Sequence, residues 1–134
     1  ALSPAEAAFI EHGDAEAALP FGWRYESLAV LLWALGLSEA LPWPQATCAV
    51  PDVVDALLQK ADSGSEPATL RDTAELLDAL DLHYRLHWAA REAQRQGAPM
   101  PGALVGGVIY ERHYALNWLF CFEQADWDDV DTPT

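Results

Sequence analysis

The chain has 134 residues, 51% of them apolar, with six Trp, four Tyr and four Phe, enough for one domain with a buried core. Acids number 21 against seven bases, and the formal charge of −14 repels phosphate backbones and anionic lipid. Nucleic acid and membrane surfaces are therefore disfavoured as partners, whereas a basic protein or a small anion is not.

In chain order, "SPAE" opens a first helix. Ser3 caps it, Pro4 takes the first helical position, Glu6 reaches back to the cap, and Gly13 ends the helix. "LPFG" leads into "WRYESLAVLLWALGL", apolar on nearly every face after Ser27, which predicts a buried central helix over about 23–36. The apolar run Leu28 to Leu37 is shorter than the ~20 helical residues needed to cross a bilayer. "LPWPQ" (Leu41 to Gln45) is a rigid non-helical connection, because each proline lacks an N–H and restricts its predecessor. "PDVVDALLQKA" predicts a short amphipathic helix from Pro51, and "DSGSEP" (Asp62 to Pro67) a mobile loop. Thr69 then caps a long helix, 70–97, which "GAPMPG" terminates. A last helix spans about 108–123 and is followed by the acidic "QADWDDVDTPT". No stretch alternates with the period of two that a half-buried strand requires. The expectation is an all-α fold: a single compact domain over 1–134, with five or six helices and an extended acidic C-terminal tail.

Two stretches share their parts: "DLHYRLHW" (Asp81 to Trp88) and "ERHYALNW" (Glu111 to Trp118). His83 and His87 have the i, i+4 spacing that puts two imidazoles on one helical face. None of His83, His87 and His113 has an acid at helical contact spacing, and Arg91 follows one turn after His87 to oppose a cation, so no metal is expected. Continued by Arg91 and Arg95, the row becomes a local basic stripe that could hold a carboxylate or phosphate. The structural alternative is that it holds acids of the same fold, such as Glu111 or those of the tail.

In "WRYES", Arg24 and Glu26 enter the apolar helix and must be paired, since an unpaired buried ion costs several kcal/mol. Arg91 or Arg112 is the expected partner of Glu26, and Glu111 or a tail acid that of Arg24. The network either pins helices together or walls a ligand pocket. "DWDDVD" lacks the glycine and closing glutamate of a calcium loop, so it reads as a solvated end or a strap anchored by Trp127. Cys48 and Cys121 suit a reducing cytosol, and Cys121 in "WLFCFE" is expected to be a buried, unreactive thiol. Neither a Gly-x-Ser-x-Gly or Ser-x-x-Lys serine nor a Gly-rich phosphate loop is present. No cofactor is expected.

"WRYESLAVLLWALGLSEALPWP", "LHYRLHWAAREAQ", "VIYERHYALNWL" and "WDDVDTPT" together resemble the uncharacterised bacterial domain-of-unknown-function family four-two-seven-two, over nearly the whole chain. The resemblance implies no activity. It does imply further helical sequence ahead of "LSPAE", so that this chain, which lacks an initiator Met, would be the C-terminal part of a longer one.

The functional expectation is a non-enzymatic cytosolic binding domain, with an acidic surface for a basic partner or a His/Arg stripe for a small anion. One alternative is a small enzyme with a pocket between helices 70–97 and 108–123. There His83 or His87 would act as acid or base, Arg91 would position an anion, and Glu111 would orient a histidine such as His113. A second alternative is an immunity-like inhibitor of a basic protein.

Overall fold

The reciprocal cap expected at Ser3 is formed. The Ser3 hydroxyl accepts the Glu6 N–H at 3.2 Å, and the Glu6 carboxylate accepts the Ser3 N–H at 2.8 Å. It opens α1 (Pro4–His12), followed by α2 (Ala18–Ala34), α3 (Val50–Asp62), α4 (Thr73–Gln96) and α5 (Gly106–Leu119). Single 3-10 turns lie at Pro101–Ala103, Phe122–Gln124 and Trp127–Asp129. This computed structural model describes residues 2–64 and 66–134; Ala1, and Ser65 within the loop expected at Asp62 to Pro67, lie outside the described residues. Among the described residues there is no strand, and no helix is long and apolar enough to cross a membrane.

Both α2 and α4 pack along α5. Val30, Trp33 and Ala34 from α2 meet Leu76 from α4 and Ala115 and Leu116 from α5 in the main core. Ala90, Leu104 and Ile109 form a smaller cluster at the other end. Each large side chain buried this way contributes roughly 1.5–3 kcal/mol. α2 is buried over its second half, and α5 carries a longer run, with every residue from Glu111 to Asn117 buried. That run includes Glu111, Arg112, His113 and Asn117, so the centre of the molecule is markedly polar.

Three boundaries differ from expectation, each for a local reason. α2 starts at Ala18 and takes in Pro20, because a first-turn N–H has no intrahelical acceptor and its loss is free. Asp14 Oδ1 accepts the Ala17 N–H at 2.9 Å just ahead of it. α4 is capped at Asp72, not Thr69, because Arg71 is drawn the other way. The Arg71 N–H donates to Ala34 O, and its guanidinium donates to Trp33 O and Ser38 O, closing the carbonyl end of α2. α5 stops at Leu119 and does not reach Glu123, because Cys121, Glu123 and Gln124 all adopt positive φ as the chain reverses.

The reversal leaves the Cys121 side chain exposed, not buried as its apolar neighbours suggested. The acidic terminal segment is a strap, not a free extension. The Tyr114 hydroxyl donates to Trp127 O, Asn117 Nδ2 donates to Asp131 O at 2.9 Å, and Val130 and Thr132 are buried. Asp128 ties the strap to the start of α1 by accepting the Ala5 N–H at 2.8 Å.

Candidate functional site

The four-residue row on α4 divides in two. His83 and His87 face inward and are buried, whereas Arg91 and Arg95 lie in solvent. Arg95 is occupied locally, its guanidinium donating to both carboxylate oxygens of Glu92 at 2.9 and 2.6 Å. Arg91 is different. Five of the six arginines, Arg24, Arg71, Arg85, Arg95 and Arg112, are each ion-paired; among the described residues Arg91 is the arginine that is not. Its one hydrogen bond goes from Nη1 to the Thr134 hydroxyl on the strap, at 3.3 Å.

Arg91 lies on the wall of a cavity of about 450 Å³ bounded by α2, α4 and α5. Pro20, Trp23, Ala90 and Met100 supply apolar surface; His87, Gln94, Tyr110 and Glu111 supply polar groups. Gly106 and Gly107 open α5 at this wall, and their lack of a side chain lets Trp23 and Met100 pack directly against it. A Cβ on Gly107 would lie 2.7 Å from the Trp23 ring, and one on Gly106 would lie 3.2 Å from Met100. Gly107→Ala is therefore expected to push the Trp23 indole off this wall while leaving α5 helical. Loss of contacts between the Trp23 ring and the Gly107 Hα protons in NMR spectra, with an unchanged circular dichroism spectrum, checks it.

Glu111 is held from behind. Its Oε2 accepts from Arg24 Nη1 at 3.1 Å and from the Ser27 hydroxyl at 2.8 Å, leaving Oε1 without a hydrogen bond among the described residues. Arg24 in turn lies 4.3 Å from the Tyr114 ring centroid and 5.5 Å from that of Trp127, a cation between aromatic faces. The Arg24–Glu111 partnership expected from sequence is thus present and also forms one wall of the cavity. Glu111 does not orient a histidine.

The histidines arrange themselves without it. His87 Nδ1 and His113 Nδ1 are 2.9 Å apart, so one ring must carry the shared proton and the other must accept it. Burial pushes the His113 pKa down to about 4, with the nearby His87 and His83 rings adding to it. His87 is lowered by burial and by the Arg91 charge. His83 is also held at about 4, chiefly by burial. Its Nδ1 must donate to Ala79 O at 2.7 Å, which makes Nε2 the bare acceptor, and Nε2 is buried without a partner. His83 lines a second cavity, so it and His87 do not share a site.

Deeper still, Arg112 Nε lies 3.8 Å from Glu26 Oε2, the pairing anticipated as one of two options for Glu26. Glu26 Oε1 accepts the Cys48 N–H at 2.5 Å, and Arg112 Nη1 donates to Pro42 O at 2.6 Å. The pair therefore ties the segment between α2 and α3, at Pro42 and Cys48, to α5 and α2. Burial, and next the Glu26 carboxylate, push the Cys48 thiol up to about 11, so Cys48 is unreactive. Among the described residues, no three or more His, Cys, Asp or Glu side chains come together in a way that could hold a metal ion.

Sequence reasoning brought His87, Arg91 and Glu111 to one place but passed over Trp23, Gln94 and Tyr110 as cavity residues. Gln94, three residues after Arg91, and Tyr110, beside Glu111, were in principle visible from helical spacing. The chain belongs to the family described as Domain of unknown function (DUF4272), whose model matches residues 1–130. No curated protein and no solved structure matches it.

Proposed function

We propose that this DUF4272 domain is a binding module for a small organic anion, a carboxylate on an apolar body, held in the cavity between α2, α4 and α5. The observation that carries this reading is Arg91, which among the described residues has no acid partner although the chain has 21 acids, and which lines a cavity walled by Trp23 and Met100. A guanidinium in that position offers paired N–H donors to a carboxylate. Gln94 and Tyr110 add neutral hydrogen-bonding groups, and Glu111 Oε1 is free to accept from a hydroxyl or amine on the same ligand. The charge on Glu111 is offset by Arg24, so it does not cancel that of Arg91.

Isothermal titration with hexanoate, benzoate and inorganic phosphate tests the reading. Saturable binding of the organic anions is expected, weakened roughly tenfold by Arg91→Gln, as loss of a charge-assisted pair implies. Binding that ignores the substitution, or no binding at millimolar anion, would reject the site.

A second reading, a small acid–base enzyme, draws on one observation: His87, Arg91 and Glu111 share the cavity, and His87 pairs with His113. It requires His87 to exchange a proton with a bound substrate, so turnover in His87→Gln at wild-type rates would remove it.

A further inference from the structure

The fold uses only half of the Glu111 carboxylate. Arg24 Nη1 and the Ser27 hydroxyl both donate to Oε2, and Oε1 accepts from no group among the described residues. Nor is Oε1 sealed in: the fully enclosed polar atoms without a partner are Glu26 Oε2, His83 Nε2 and Arg112 Nε. The little surface that Glu111 keeps belongs to its side chain, 7% exposed against 5% for the whole residue, and Glu111 lines the anion cavity. An ionised carboxylate oxygen carries lone pairs and no proton, so Oε1 can only accept. Arg91 stands on the α4 side of the same cavity and makes no ion pair with Glu111, so a ligand can lie between them.

Charge decides which donor the ligand brings to Oε1. The ionised groups lining the cavity are Arg91 and Glu111, and behind Glu111 stands Arg24. His87 adds no charge at neutral pH, since burial and then Arg91 hold its pKa below the ordinary value. Two guanidinium groups and one carboxylate leave one positive charge over. A ligand with a single carboxylate neutralises it. A zwitterion would leave it in place, and its ammonium would share Glu111 with Arg24 after losing its water. A neutral hydroxyl meets Oε1 without that conflict.

We infer that the ligand is a hydroxycarboxylic acid, with its carboxylate on Arg91, its alkyl chain along Trp23, Pro20 and Met100, and its hydroxyl donating to Glu111 Oε1. The inference rests on the cavity being an anion site and narrows the class of anion, because a plain carboxylate leaves Oε1 without a donor.

Isothermal titration with hexanoate, 2-hydroxyhexanoate, 3-hydroxyhexanoate and 2-aminohexanoate tests both levels. At least one hydroxy acid is expected to bind roughly tenfold tighter than hexanoate, the scale of one hydrogen bond to a charged acceptor. The matching fluoro acid, which has no O–H, should return to the hexanoate value, as should 2-aminohexanoate. In Glu111→Gln, Arg24 and Ser27 hold the amide oxygen and its NH2 group turns to the cavity. The hydroxy-to-plain affinity ratio should then fall about threefold, since a charged acceptor is lost. The fluoro acid needs no variant to fold and tests the same hydrogen bond. Hexanoate binding that depends on Arg91, with no gain from either hydroxyl, would overturn the inference and leave the anion site standing. No binding of any of these acids would overturn both. Tighter binding of 2-aminohexanoate than of either hydroxy acid, or an unchanged ratio in folded Glu111→Gln, would also sink the assignment.

Discussion

Replacing Arg112 with methionine is expected to lower the free energy of unfolding by about 3–5 kcal/mol, the cost of stranding one member of a buried ion pair. Arg112 and Glu26 are 3% and 2% exposed, so neither can turn to water when its partner is lost. The substitution leaves the Glu26 carboxylate without its cation and Pro42 O without its donor, in a part of the core where both were fixed by α5. Methionine fills much of the guanidinium's volume, so the loss measured is electrostatic more than a cavity effect. A double-mutant cycle makes the case specific. Glu26→Gln keeps an acceptor for the Cys48 N–H but removes the charge, so Glu26→Gln/Arg112→Met should be less destabilised than the two single changes added together. Urea denaturation of the four proteins measures this. Strict additivity, or a loss below about 1 kcal/mol in Arg112→Met, would show that the 3.8 Å pair does not stabilise the fold.

The same pair shows how far sequence reasoning reaches. Glu26 had to be paired because it precedes an apolar run, and Arg112 was one of two arginines able to reach it; the desolvation penalty made the prediction, not a motif. Likewise Ser3, Pro4 and Glu6 specified α1 through local hydrogen bonding alone. What failed depended on non-local contacts. Arg71 displaced the start of α4 because the carbonyls at the end of α2 needed a donor, and nothing within "TLRD" records that need. Cys121 lies outside the core because α5 ends two residues before it, an effect of chain reversal that local hydropathy does not encode. Helical spacing aligns His83, His87, Arg91 and Arg95 in one row, yet that row runs from core to solvent along its length. A single-helix projection cannot show where the neighbouring helix ends. Pairing of His87 with His113 rather than with an acid is a property of the α4–α5 packing, and so is the division of His83 and His87 between two cavities.

That packing makes stability dependent on pH. Stability is expected to be highest above about pH 6.5 and to fall steeply as pH drops to about 5, before most carboxylates titrate. In the fold His83 and His113 are held at about 4, whereas the unfolded rings titrate at 6.5. A folded pKa below the unfolded one means that the unfolded chain takes up protons first, so acid favours unfolding. The loss begins as pH falls through 6.5 and is complete once it passes about 4. The contributions of the two rings add, so the loss by pH 5 amounts to a few kcal/mol, on the order of 3. His87, lowered by burial and by Arg91, acts in the same direction. The cations nearest these rings, Arg112 for His83 and Arg91 for His87, push the same way, and the hydrogen bond from His83 to Ala79 O offsets only part of the effect of burial. Urea titrations at several pH values give the slope, and imidazole nitrogen shifts at pH 5.5 should report His83 and His113 still neutral in the native protein. Stability that stays level from pH 7 to pH 5, or a native His113 ring that titrates near 6.5, would mean that the Nδ1-to-Nδ1 contact is made by a charged pair and that the core tolerates the proton.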